Sequence, residues 1–238
     1  MANRFPLAEG EWYHIYNRGV DKRNVFLNKK DYERFLLLMY LCNTEDRSVH
    51  LSDIKKYNLV DIFLDSSMDP KVPLVVVGAY CLMPNHIHIA IKPLKDKSIS
   101  LFMQKVMTGY TMYFNKKYVR NGALFASTFK SKHVPNDIYF KKLISYIHLN
   151  PAEIFDRKWK GGASNLEAVE KEIKNYRYSS LPDFLNTERL EGKIISNNVF
   201  DLFDSELNLR KMIKNANEYY HEHFWEVKPP NIPKQSRI

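Results

Sequence analysis

The chain has 238 residues, of which 45% are hydrophobic and 13% aromatic, so its composition excludes a disordered protein. It contains no uninterrupted apolar run long enough for a membrane span, no recognisable secretion signal and only two cysteines, and we expect a cytoplasmic protein without a membrane partner. A net charge of +9 favours a polyanionic partner, because each neutralised phosphate releases condensed counterions.

The first elements predicted along the chain are a strand and a helix. Residues 11–18 are aromatic and β-branched and are followed by Gly19, which is typical of a strand that ends in a turn. Residues 31–42 have an acidic first turn and a dense apolar face, which predicts a helix. Residues 43–70 contain few apolar runs, and we expect them to be irregular.

A hairpin and a second helix are predicted next. Residues 72–82 are almost continuously apolar, as in a strand that is covered on both faces. A Pro-Asn turn leads to a second strand at residues 86–92. Residues 98–118 have helical periodicity, with Ser98 or Ser100 as the expected N-cap.

The last elements of the first half complete a recognisable order. Residues 124–134 predict an edge strand because basic residues interrupt it, and Asn136 is expected to cap a helix that runs to about Leu149. Strand, helix, strand, strand, helix and strand form a ferredoxin-like unit. We therefore predict an α+β fold, an antiparallel sheet with helices on one face, followed by one further helix.

The texture of the sequence changes after Pro151. Glycines, a charged stretch and a tail rich in proline and lysine follow, and no internal repeat is present. We predict one domain at residues 1–151 and a mainly helical C-terminal extension at residues 152–238.

Two histidines in the second hairpin strand form the first candidate site. Side chains alternate along a strand, so His86 and His88 share one face and could bind one metal ion. The alternative is a pair of hydrogen-bonded histidines on a polar face. A second His-x-His pair, His221 and His223, falls in a segment of helical character, where residues two apart lie on different faces. The strand therefore favours the first pair as metal ligands.

The last predicted helix of the first half carries the second candidate site. Tyr146 and Asn150 lie one turn apart on one face, with Lys142 one turn earlier. This row offers a nucleophile, an oxygen ligand and a positive charge that would help the phenol to ionise. The alternative is a half-buried tyrosine that only packs. Tyr139, two turns earlier, is a rival nucleophile.

Three motifs occur in order at residues 13–19 (YHIYNRG), 80–88 (YCLMPNHIH) and 146–151 (YIHLNP). Together they resemble the IS200/IS605-type single-tyrosine transposases, and particularly the branch of REP-associated tyrosine transposases. The resemblance covers roughly residues 10–151 and leaves the extension without a motif.

The resemblance implies a metal-dependent endonuclease and strand transferase of the His-hydrophobic-His type. It would cut single-stranded DNA near hairpins through a 5′-phosphotyrosine intermediate, with Mg²⁺ or Mn²⁺ as cofactor. It gives His86 and His88 as metal ligands and Tyr146 as the nucleophile. Asn150 stands where insertion-sequence members usually carry glutamine as a third ligand.

The expected partner is single-stranded or hairpin DNA, which would make the protein nucleoid-associated. Its contacts are expected from five basic residues, Arg18, Lys22, Arg23, Lys130 and Lys132. Two alternatives stay open, a domesticated nuclease that processes chromosomal repeats and a catalytically silent binding protein of the same fold. A homodimer and a single active chain also both stay open.

Overall fold

The structure is a computed structural model that describes residues 7–45, 59–161, 165–203 and 207–215. Its strands are β1 (Trp12–Arg18), β2 (Val75–Met83), β3 (His86–Pro93) and β4 (Lys130–Val134). The helices are α1 (Lys29–Leu41), α2 (Leu59–Leu64), α3 (Ser98–Lys117), α4 (Asp137–Leu149), α5 (Ala152–Phe155), α6 (Leu166–Lys174), α7 (Leu181–Phe184) and α8 (Leu209–Lys214). Among these, none is long and apolar enough to cross a membrane.

The four strands form one antiparallel sheet in the order β2-β3-β1-β4. With α1 after β1 and α3 after β3, this order confirms the predicted ferredoxin-like arrangement. In the segment that was expected to be irregular, the described residues form the short helix α2 and one turn of 3₁₀ helix.

Two local predictions were wrong. The edge strand begins at Lys130 rather than at residue 124, because the Asn17 amide donates to the carbonyls of Ser127 and Thr128 and so holds that segment as a loop. Helix α3 has no serine N-cap. Its N-cap is Lys97, in the left-handed conformation at φ 59°, and the buried Ser98 already belongs to the helix.

Both faces of β3 are buried. The isoleucines of β3, Ile87, Ile89 and Ile91, point to one face, where α3 contacts β2 and β3 and α1 packs against α3. Helix α4 covers the other face: the Phe140 ring lies 4.3 Å from that of Trp12. The histidines of β3 therefore lie between the sheet and α4.

Gly19 fixes the end of β1 beside the hairpin turn. A Cβ atom at this position would collide with the Arg23 carbonyl oxygen, so the tight return of the chain requires glycine. The Gly19 N–H donates to the Asn85 carbonyl at 2.9 Å, and the Val25 N–H donates to the Pro84 carbonyl at 2.8 Å. These bonds hold Arg18, the last residue of β1, directly opposite His86.

Part of the described C-terminal extension packs on the sheet, while α6 and α8 contribute to a separate hydrophobic cluster with Leu149 of α4. A short extended segment runs along the outer edge of β2, where the Leu82 N–H donates to the Tyr178 carbonyl at 2.9 Å and the Ser180 N–H donates to the Tyr80 carbonyl at 3.0 Å. Later residues of the C-terminal extension enter the main hydrophobic core, namely Phe184, Ile194, Ile195 and Val199. The proline- and lysine-rich tail, with the pair His221 and His223, lies outside the described residues.

Candidate active site

The two histidines of β3 lie on the sheet face that α4 covers. His86 is opposite Arg18 and His88 is opposite Tyr16 in the pairing with β1, so all four side chains share one face. Both imidazoles are buried, and His88 is only 1% exposed. The predicted common face is confirmed.

Each imidazole uses its Nδ1 atom for a hydrogen bond within the protein. His86 Nδ1 donates to the Asn85 amide oxygen at 2.6 Å, and His88 Nδ1 lies 2.9 Å from His14 Nε2. Within the described residues, the buried Nε2 atom of His88 has no hydrogen-bond partner. Buried polar atoms usually have a partner, so this nitrogen is a candidate ligand atom. The Nδ1 atom of His148 is also without a partner in the described residues, so this feature gains its meaning only from the neighbouring side chains.

Burial keeps these imidazoles neutral. It lowers the pKa of His86 to about 3 and that of His88 well below its usual value, and the nearby Arg18 charge acts in the same direction. Burial and the charge of Lys132 lower the pKa of His14 to about 3 as well. All three rings are thus uncharged at neutral pH, which is the form that binds metal ions.

Helix α4 places Tyr146 against the histidines. The helix begins where the Asn136 side chain accepts a hydrogen bond from the Tyr139 N–H at 3.1 Å, as the N-cap prediction required. Two turns later, the Tyr146 ring centroid lies 5.4 Å from that of His88 and 5.7 Å from that of His14. Burial raises the pKa of Tyr146 above its usual value, so the phenol is protonated at neutral pH.

Asn150 connects the tyrosine to the first histidine. Its side chain hydrogen-bonds to the side chains of His86 and Tyr146, and its Nδ2 atom donates to the Tyr146 carbonyl at 2.7 Å. In the described part of the chain, no group of three or more histidine, cysteine, aspartate or glutamate side chains could hold a metal ion. A metal held by both histidines would therefore need a third ligand of another kind, and the Asn150 amide oxygen is a suitable one.

Arg18 lies in this site rather than on the open surface. It is half-buried, and the groups whose charge acts on its pKa are Glu153 and Tyr146. Lys142, which was expected beside Tyr146, has its ammonium 5.6 Å from the ring centroid of Tyr139. Of the two candidate tyrosines, Tyr146 is the one whose ring contacts the histidines.

The other basic residues form two groups. Lys130 and Lys132 of β4 pair with Tyr16 and His14, so they lie on the histidine face beside α4, where Lys130 is exposed. We call Lys130, Lys132, Tyr16 and Arg18 the basic strip. The remaining two, Lys22 and Arg23, lie in the exposed loop after β1.

Sequence reasoning missed three residues around the histidines. Asn85 binds His86, His14 binds His88, and Glu153 lies near Arg18 and Tyr146. A signal for His14 was present, because it lies an even number of residues before Arg18 in the same strand and so shares its face.

Part of the sequence matches a known protein family. The family model described as "Transposase IS200 like" matches residues 42–150. No curated protein matches the sequence. A solved structure of a REP-associated tyrosine transposase bound to a REP hairpin is similar, with 12% sequence identity and a TM-score of 0.48 over 87% of this chain and 97% of that chain. Residues 42–150, which include both β3 histidines, Tyr146 and Asn150, therefore match the model of an IS200-like transposase domain.

Proposed function

We propose that the chain is a metal-dependent endonuclease and strand transferase that cuts single-stranded DNA near hairpins through a 5′-phosphotyrosine intermediate. One observation carries the proposal: the Tyr146 ring lies against the buried, neutral imidazoles of His88 and His14, and the Nε2 atom of His88 has no hydrogen-bond partner in the described residues. The reaction class comes from the transposase family whose model matches residues 42–150.

The donor set suits a divalent cation. The proposed ligands are the Nε2 atoms of His86 and His88 and the amide oxygen of Asn150, all of which are neutral. Imidazole nitrogen fits Mn²⁺ better than Mg²⁺ by ligand type, although either ion accepts this set with water or phosphate oxygens. When bound, the cation supplies positive charge that polarises the scissile phosphate.

Tyr146 is the proposed nucleophile. Its Oη atom attacks the phosphorus and forms the phosphotyrosine bond, the bond from phosphorus to the 3′ oxygen breaks, and that oxygen takes up a proton as the phenol loses one. Because the burial of Tyr146 disfavours its ionised form, the reaction needs positive charge nearby. The guanidinium of Arg18, whose pKa responds to Tyr146, can supply it, and Lys142 is a second candidate from the same helix.

The basic strip is the proposed path of the DNA strand into the site. Its lysines neutralise phosphates, and the partly exposed Tyr16 ring offers a stacking surface for an unpaired base. Lys22 and Arg23, in the loop beyond Arg18, would contact the same DNA. We place the chemistry in residues 1–151, while residues 178–199 of the extension support the sheet.

A covalent adduct tests this function. The protein is incubated with Mn²⁺ and labelled single-stranded hairpins made from repeats that flank its gene, and the linked peptide is identified by mass spectrometry. We expect a phosphotyrosine adduct at residue 146, lost in Tyr146→Phe and retained in the matched control Tyr139→Phe. An adduct at Tyr139 would overturn the assignment of the nucleophile, and no adduct on any hairpin that the protein binds would favour a silent binding protein.

A further inference from the structure

His14 has no role in the chemistry described so far, although it is fully buried beside the site. Its Nε2 atom lies 2.9 Å from His88 Nδ1, and the two rings stack with their centroids 5.1 Å apart. It stands on the central strand β1, where Tyr16 packs against its ring at 5.0 Å. The fold therefore fixes the position of this imidazole from the sheet side.

The bond between the two rings can contain only one proton. If His14 Nε2 carries it, His88 Nδ1 accepts, and the proton of neutral His88 must lie on Nε2, where the described structure offers it no acceptor. If His88 Nδ1 carries the proton, His14 Nε2 accepts and the His88 Nε2 lone pair is free to bind a cation. A cation at His88 Nε2 requires the second arrangement, because only there does this atom present a lone pair, and the proton of neutral His14 then lies on its Nδ1 atom.

We propose that His14 is a positioning residue that holds His88 in the Nδ1–H tautomer and orients its Nε2 lone pair toward the metal. This inference deepens the proposed function and rests on His88 being a metal ligand. Histidines that bind metals commonly donate their other N–H to a carboxylate or carbonyl oxygen, and here a second imidazole fills that place. His86 shows the same arrangement with the Asn85 amide oxygen as its acceptor.

Three substitutions separate positioning from packing. His14→Phe keeps the ring and removes the acceptor, while His14→Gln keeps an amide oxygen that can accept from His88. The matched control is His148→Phe. His148 is equally buried, and its Nε2 atom hydrogen-bonds to the Ser180 hydroxyl at 2.9 Å, but it lies on the side of α4 that faces residues 180–184.

The first readout is the affinity of the DNA-free protein for Mn²⁺ at pH 7, measured by calorimetry. We expect His14→Phe to weaken binding about 10- to 100-fold, in the range typical of lost outer-shell partners, and His14→Gln to recover most of it. His148→Phe should leave the affinity within about twofold of the unsubstituted protein. Equal losses in His14→Phe and His148→Phe, or no loss in His14→Phe, would overturn the proposal.

The second readout does not need a metal. Nitrogen-15 NMR of the metal-free protein reports the tautomer of each ring, and we expect His88 to be protonated on Nδ1 and to shift toward the Nε2–H form in His14→Phe. An Nε2–H tautomer in the unsubstituted protein would contradict the role of His14. If the tautomer is as expected but the protein does not bind Mn²⁺, the metal part of the proposed function fails while the hydrogen bond between the two imidazoles stands.

Discussion

Two of the buried polar clusters in the described structure differ in whether their hydrogen bonds are complete. One is centred on Asp31 in the first turn of α1, where the fully buried carboxylate accepts from five donors, which are the backbone N–H groups of Leu27 and Asn28, the Tyr113 and Tyr118 hydroxyls and the Lys117 ammonium. The other is the histidine site, where the Nε2 atom of His88 has no such partner in the described structure.

Under the proposed function, this difference separates a group that holds the fold from a group that would bind a ligand. The Asp31 cluster joins the start of α1 to the end of α3, and its satisfied carboxylate stabilises the fold without needing anything else. In the histidine site, the buried Nε2 atom of His88 has no hydrogen-bond partner in the described structure, and the proposed cation would bind there. The contrast predicts that substitutions at the two clusters affect different measurements.

The largest expected effect on stability is at Asp31. In Asp31→Ala, Lys117 and the two tyrosine hydroxyls lose their common acceptor, and we expect the free energy of unfolding to fall by about 3 to 5 kcal/mol. Urea denaturation measures this change. The affinity of the folded fraction for Mn²⁺ should be unchanged, and a joint loss of both properties would break the separation of the two clusters.

Metal addition should stabilise the histidine site by a smaller amount. At a Mn²⁺ concentration about 100 times its dissociation constant, we expect the free energy of unfolding to rise by about 2.7 kcal/mol, because the ion binds only the folded chain. Chelation with EDTA should reverse the change, and His88→Ala should abolish it. If Mn²⁺ raised the free energy of unfolding of His88→Ala by the same amount, the ion would bind elsewhere.

Acid should destabilise the buried histidines and the Asp31 cluster in different pH ranges. His14, His86 and His148 each have a folded-state pKa of about 3 against the usual 6.5, so their contributions are complete above pH 6.5 and decline as the pH falls toward 3. Each of these histidines should make the free energy of unfolding about 2 kcal/mol lower at pH 5 than at pH 7.

Asp31 responds only to stronger acid. Burial raises the pKa of its carboxyl, but hydrogen bonds from Lys117 and its other donors outweigh burial and hold that pKa below the usual 3.8, so its contribution declines only below that pH. Denaturation curves between pH 7 and pH 4 measure the loss of stability caused by the histidines. In His148→Phe, the loss in free energy of unfolding at pH 5 should be smaller by the contribution of one histidine. A free energy of unfolding that stays constant from pH 7 to pH 5 would contradict the burial of the histidines.

The smallest expected effect is in the basic strip. Lys130→Ala or Lys132→Ala should weaken the binding of single-stranded DNA and reduce the slope of log affinity against log salt by about 0.7 for each phosphate that is no longer neutralised. Lys95→Ala is a matched control, because Lys95 is exposed and pairs with Glu45 away from the strip. An equal change in all three variants would mean that the strip has no special role.

The sequence predicted those parts of the site that depend on local geometry. Strand alternation placed His86 and His88 on one face, and helical spacing placed Tyr146 and Asn150 one turn apart. The position of Asn136 as an N-cap was likewise readable from the residue and its neighbours.

The remaining features depend on contacts between distant segments. His14 meets His88 only through the register of β1 against β3, which no local pattern specifies. The loop before β4 replaces a predicted strand because the Asn17 side chain donates hydrogen bonds to two of its carbonyls. The residues that these bonds join are more than one hundred positions apart in the sequence. Arg18 reads as a surface charge in the sequence and lies in the site because Gly19 turns the chain beside it.

The extended segment at residues 178–180 bears on the solubility of the protein at high concentration. An uncovered β2 would present a row of unpaired backbone N–H and carbonyl groups, and such edges recruit strands from other molecules into aggregates. The segment at residues 178–180 covers part of this edge. A chain shortened to residue 151 would keep every proposed catalytic residue and still be prone to precipitate.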